Sequence, residues 1–89
     1  MENQEKRLAM IAIVVENYDS VEKLNKLMHE YGEYIIGRMG LPCRDRAVSL
    51  ISVALDAPGD SISSLSGKLG MLPGVSAKTV YAKTAQTQP

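Results

Sequence analysis

Residues 7–16 read Arg-Leu-Ala-Met-Ile-Ala-Ile-Val-Val-Glu, apolar at odd and even positions alike and rich in β-branched side chains. Such a run predicts a strand buried on both faces, because a half-exposed strand would alternate. Residues 47–56 repeat the signature, with Val48, Leu50 and Ala54 on one face and Ile51, Val53 and Leu55 on the other. Between the two runs the period changes. Val21, Leu24, Leu27, Met28 and Tyr31 recur at three- and four-residue steps, while Glu22, Lys23, Lys26 and Glu30 fall opposite them. That spacing predicts an amphipathic helix over residues 21–31. Asp19 or Ser20 is placed to cap it, and Gly32 to stop it with a left-handed turn.

Residues 34–39 predict a second strand whose glycines and Arg38 suit an edge position or a bulge. Pro42 lacks an N–H and is expected to end that strand, leaving residues 37–46 largely as a connecting loop. Pro58-Gly59-Asp60 is turn chemistry, and Asp60 or Ser61 is placed to cap a short helix bearing Ile62, Leu65, Leu69 and Leu72. Gly67 and Gly70 weaken it. Pro73-Gly74 breaks it, and residues 75–81 predict a last, more polar strand fit for the other edge. Residues 1–6 are expected to be a flexible arm, 7–83 a single domain and 84–89 a flexible tail.

The order strand, helix, strand, strand, helix, strand predicts an α+β, ferredoxin-like βαββαβ fold: a four-stranded antiparallel sheet with two helices on one face. In that topology the first and third strands are central, and they are the most apolar here. Two helices cover only one face. The apolar side chains on the other face therefore predict a homo-oligomer, dimer or tetramer, that packs through the open sheet. The chain's size agrees, since 89 residues make one small domain, of the size that buries only about 60–65% of its unfolded surface.

Ten basic and ten acidic residues balance to a formal charge of zero, which argues against direct nucleic-acid binding or an anionic membrane surface as partner. No apolar run approaches the roughly 20 residues that cross a bilayer, and Met1-Glu2-Asn3-Gln4-Glu5 lacks the basic start of a signal peptide. The chain reads as cytoplasmic, and its single cysteine has no intramolecular disulfide partner. Nothing in the pattern calls for a cofactor.

Candidate chemistry gathers in the 37–46 stretch. Arg38, Arg44 and Arg46 lie close to Gly40, Leu41 and Cys43, and guanidinium groups beside glycines suit bidentate capture of a carboxylate or phosphate. These six residues are the candidate ligand site. Cys43 and the only histidine, His29, supply two of the three or four ligands that a nitrogen and sulfur metal site needs, so a metal sensor would have to form between chains. A small hydrolase of the acylphosphatase kind would pair Arg38 or Arg44 with Asn25. No HxxxH, CxxC, GxSxG or P-loop spacing supports catalysis. Tyr31 and Tyr34 flank Gly32, where they could line a small pocket.

One resemblance spans residues 7–83. Tyr31-Gly32, then Ile36-Gly37-Arg38-Met39-Gly40-Leu41-Pro42, Val48-Ser49-Leu50-Ile51-Ser52 and Leu65-Ser66-Gly67-Lys68-Leu69-Gly70-Met71-Leu72-Pro73-Gly74-Val75 resemble the regulators of the iron-only hydrogenase system. That family is similar in fold to ACT domains and to the C-terminal domain of the nickel-responsive repressor, both of which assemble through their sheets. The resemblance implies a non-catalytic regulatory module that binds a small effector or a partner protein near subunit interfaces. The repressor's nickel site uses several histidines and a cysteine, of which only His29 and Cys43 have counterparts. Its ribbon-helix-helix segment has no counterpart in the six polar residues before the first strand, so a transcriptional role implies a separate DNA-binding partner.

Overall fold

The computed structural model describes residues 5–43 and 45–83. Its elements are β1 (Lys6–Val15), α1 (Val21–Glu30), β2 (Ile35–Cys43), β3 (Val48–Pro58), α2 (Gly59–Gly70) and β4 (Val75–Tyr81), with short 3-10 turns at Tyr18–Ser20 and Gly32–Tyr34. The strands form one antiparallel sheet in the order β2-β3-β1-β4. This is the ferredoxin-like arrangement that the alternation of strands and helices predicts, with the two most apolar strands at its centre.

Register decides which side chains meet. Ile11 lies opposite Val53 and Thr79, and Ile13 opposite Ile51 and Ala77. Residues on that parity face α1 and α2. Ile11, Ile13, Val15, Val53, Leu55, Leu24, Ile62, Leu65 and Leu69 are almost wholly buried there, each worth about 1.5–3 kcal/mol of transfer free energy. α1 presents Leu24 and Met28 to the core, and α2 presents Ile62, Leu65 and Leu69. The three-and-four spacing in the sequence is therefore the core-facing stripe of each helix.

The ends of the helices depart from expectation. Ser20 stands at the N-cap position of α1, yet its side chain makes no cap bond. It is buried and donates instead to the Pro73 carbonyl at 2.6 Å, tying the start of α1 to the turn before β4. The cap-like acceptor is Asn17, whose Oδ1 takes the Asp19 N–H at 2.9 Å. Gly32 is not a left-handed stop. α1 closes through Tyr31 into the 3-10 turn, and among the described residues Gly74 is the glycine with a positive φ. Likewise neither Asp60 nor Ser61 caps α2, which starts at Gly59 directly after Pro58 without a side-chain cap. Proline holds the extended dihedrals that an N-cap residue needs, so the turn signal here marks an immediate helix start.

β2 also outruns its prediction. Pro42 does not end it. The strand pairs through Leu41↔Leu50, Pro42↔Ser49 and Cys43↔Val48. An edge strand accommodates proline because every second N–H points away from the sheet. The expected irregularity is present as a register shift between Ile35 and Gly37. Most of the 37–46 stretch is thus strand. The reversal into β3 takes only the residues after Cys43, with Ala47 at φ 55° and the Arg46 N–H bonded to the Cys43 carbonyl.

Candidate functional site

Strand continuity divides the six predicted ligand residues. Side chains alternate along a strand, so those of Arg38 and Pro42 lie on the helix side, and those of Met39, Leu41 and Cys43 on the open side. Gly40, opposite Ile51, falls on the helix side. Arg46 lies exposed in the turn, and Arg44 is outside the described residues. The five described residues do not share one face of the strand. The Arg38 guanidinium donates to Asn25 Oδ1 of α1 at 3.2 Å.

His29 and Cys43 stand apart as well. His29 is exposed near the C-terminal end of α1, beside the start of β2, whereas Cys43 closes β2. Nine strand residues separate the two ends by about 27–30 Å, so the pair cannot share a metal within one chain. Among the described residues no three His, Cys, Asp or Glu side chains cluster as ligands. Tyr31 and Tyr34 pack against the core rather than framing a pocket between them. The Tyr31 hydroxyl shares a 2.9 Å hydrogen bond with Ser64 Oγ, and the Lys68 ammonium sits 5.3 Å from its ring centroid. The Ser64 bond and the Lys68 charge lower the Tyr31 pKa, and the same phenol raises that of Lys68.

Two surfaces stand out once these residues are placed. The first is the uncovered sheet face, which carries seven of the nine exposed large apolar side chains among the described residues: Leu8, Met10, Ile36, Met39, Leu41, Leu50 and Val80. They cluster by register. Met10 faces Ala54 and Val80, and Leu41 faces Leu50, next to Val14. The face holds two shallow depressions, one lined by Leu8, Met10, Ile36, Ala54 and Val80, the other by Val14, Met39, Leu41 and Leu50. Polar interruptions are few, chiefly Ser52, Ser76, Lys78 and Asp56. The second surface is a groove between α1 and α2 on the opposite side of the molecule, which the sequence reading missed. Its α1 residues share a helical stripe, but their meeting with Lys68, Met71 and Leu72 depends on how the two helices pack.

A four-stranded antiparallel sheet with two helices on one face and an uncovered apolar face on the other defines a ferredoxin-like α+β module. Residues 7–79 match the family described as "TM1266-like: Iron-only hydrogenase system regulator, putative", and the chain belongs to that family. The chain is similar to TM1266 of Thermotoga maritima, an uncharacterized protein of known structure: 39% identity, TM-score 0.85, with 89% of this chain and all of that one covered. It is similar in fold to the C-terminal domain of the MgtC protein from Mycobacterium tuberculosis, at 14% identity and TM-score 0.68, over 99% of this chain and all of that domain. A formyltetrahydrofolate deformylase from Pseudomonas putida KT2440 contains the same fold in 28% of its length, at 11% identity and TM-score 0.60 over 82% of this chain. Among curated proteins, none matches this chain.

Proposed function

We propose that this chain is a non-catalytic, oligomeric regulatory domain of an iron-only hydrogenase system, paired through its open sheet face and receiving a small effector or a partner protein at the edge of that pairing. One observation carries the reading: seven large apolar side chains gathered on the face that no helix covers. Ten strand residues span about 33 Å and four strands about 15–20 Å, so the face measures on the order of 600 Å². That approaches the roughly 800 Å² per partner of a standard specific interface and lies at the upper end of the roughly 300–600 Å² that a soluble monomer exposes as its largest patch. The family membership supports a regulatory rather than catalytic role. Residues 7–83 are the unit that would carry it.

Within this reading the effector site narrows to the residues at the β2–β3 end of the pairing face. Leu41 and Cys43 belong to that face, and Arg46 stands in the adjoining turn, where a second subunit would bring further groups. Sedimentation velocity tests the pairing. The wild type runs as a dimer or tetramer at micromolar concentration, and a stable, well-folded monomer overturns the proposal. A melting-temperature screen with amino acids, nucleotides and anions tests the effector, because a ligand of the native state raises the melting temperature. The stabilising compound should lose its effect in Arg46→Ala.

The Arg38 and Asn25 contact favours a second reading, acyl-phosphate hydrolysis, since it joins the two residue types that such a hydrolase uses. Both residues are exposed and bonded to one another, which leaves the guanidinium partly occupied. Hydrolysis of acetyl phosphate above background, lost in Arg38→Ala, supports this reading, and its absence removes it.

A further inference from the structure

The groove between α1 and α2 is lined by Lys23, Lys26, Leu27 and Glu30 of α1 and by Lys68 of α2 with Met71 and Leu72 just beyond it, around a volume of about 320 Å³. Three ammonium groups face one carboxylate, a local excess of two positive charges on a chain whose formal charge is zero. Leu27 and Leu72 are half-buried and form the apolar floor, while Met71 is 84% exposed. An unbranched thioether left that open is a poor core residue and a good adaptable contact.

The spacing on α1 explains why the groove exists. Lys23, Lys26, Leu27 and Glu30 recur at three- and four-residue steps and form a stripe adjacent to the core stripe of Leu24 and Met28. The Tyr31 to Ser64 bond ties the end of α1 to α2, and Lys68 sits over the Tyr31 ring. Lys68 is thereby held at the rim as an ammonium, with its pKa raised by Tyr31.

We propose that this groove docks an acidic amphipathic helix of a partner protein, with apolar side chains on Leu27, Met71 and Leu72 and carboxylates on Lys23, Lys26 and Lys68. Charge complementarity selects the sign of the occupant, and the apolar floor selects its amphipathic character. Shape selects a helix over a small anion. The three lysines are separate point charges with no guanidinium fork to grip one ligand bidentately. The lining residues of α1 run from Lys23 to Glu30, so the groove is about 10 Å long, room for roughly two turns of a docked helix. It lies on the face opposite the bare sheet, so it is open in the monomer and in a sheet-paired oligomer alike.

The test uses the full chain and a synthetic peptide of about 12 residues with leucines at positions i, i+3, i+4 and i+7 and glutamates elsewhere. Amide shifts are followed by NMR and affinity by fluorescence anisotropy. Saturable binding with shifts centred on Leu27, Lys68, Met71 and Leu72, weakened by added salt and reduced at least about ten-fold in the Lys23→Glu, Lys26→Glu, Lys68→Glu triple variant, supports the proposal. Circular dichroism checks that the triple variant remains folded. Three results each overturn it: no saturable binding, equal binding of the lysine-for-glutamate peptide, or shifts of the same size with inorganic phosphate alone. Leu50→Glu separates this proposal from the sheet-pairing one, because it disturbs only the opposite face. Peptide binding that persists in Leu50→Glu supports the groove whatever the oligomeric state, and binding lost there assigns the peptide to the sheet and overturns it.

Discussion

Gly74 is the residue at which backbone geometry leaves no alternative. Its φ of 71° lies in the left-handed region, and a Cβ placed there would stand 2.6 Å from the Cβ of Asn17. The Gly74 carbonyl also accepts the Glu16 N–H at 2.7 Å, so the turn before β4 is clamped to the end of β1. Gly74→Ala is therefore expected to destabilise the fold by about 2–4 kcal/mol, read as a lowered denaturant midpoint. Pairing it with Asn17→Gly should relieve the contact with the Asn17 Cβ but leave the 3.1 Å contact with its backbone nitrogen and the conformational part. Ser20 is the second such residue. Ser20→Ala removes the bond from the buried Ser20 hydroxyl to the Pro73 carbonyl and should cost about 0.5–1.5 kcal/mol by the same measurement. The glycine was legible as a turn in the sequence, but its neighbour was not, because Asn17 lies far away along the chain.

At the scale of elements, α2 is the helix whose sequence works against it. Gly67 lies exposed within α2, and a Cβ there would meet nothing within 4 Å. Gly67→Ala should raise stability by about 0.5–1 kcal/mol through backbone entropy alone, seen as a higher melting temperature. β2 teaches the converse lesson. Its proline and glycines argue against a long strand, yet pairing with β3 carries it to Cys43 because an edge strand needs only half of its N–H groups for the ladder. That extension converts a presumed loop site into a strand with two faces. It is why Arg38 and Cys43 part company.

For the whole molecule, the proposed pairing through the open sheet face makes a prediction about behaviour in solution. Leu50 is 45% exposed and sits on β3, central in the sheet, opposite Val14 and Leu41. Leu50→Glu should leave the monomer's fold intact, since the side chain touches no helix-side core, while placing a charge in any pairing interface. Sedimentation should then show the assembly dissociating by at least one association step, with circular dichroism unchanged. If the variant sediments as the wild type does, the face is not where the chain pairs.

The sequence by itself determined the element order, the ferredoxin-like topology and the core. Period-3.6 hydrophobicity puts Leu24, Ile62 and Leu65 in the core, and the apolar runs of β1 and β3 mark the central strands that carry Ile11, Ile13 and Val53. It also carried the family resemblance, through the glycine- and proline-containing segments at residues 36–42 and 65–75. Apolar residues at both parities of β1 and β3 gave notice of the bare face, because no second layer was available to cover it. Only the tertiary structure decided which side chains share a surface. It separated Arg38 from Cys43 by strand alternation, put His29 and Cys43 at opposite ends of β2, and joined Lys23, Lys26 and Lys68 across two helices. Those outcomes depend on register and helix packing between distant segments, which no local pattern encodes.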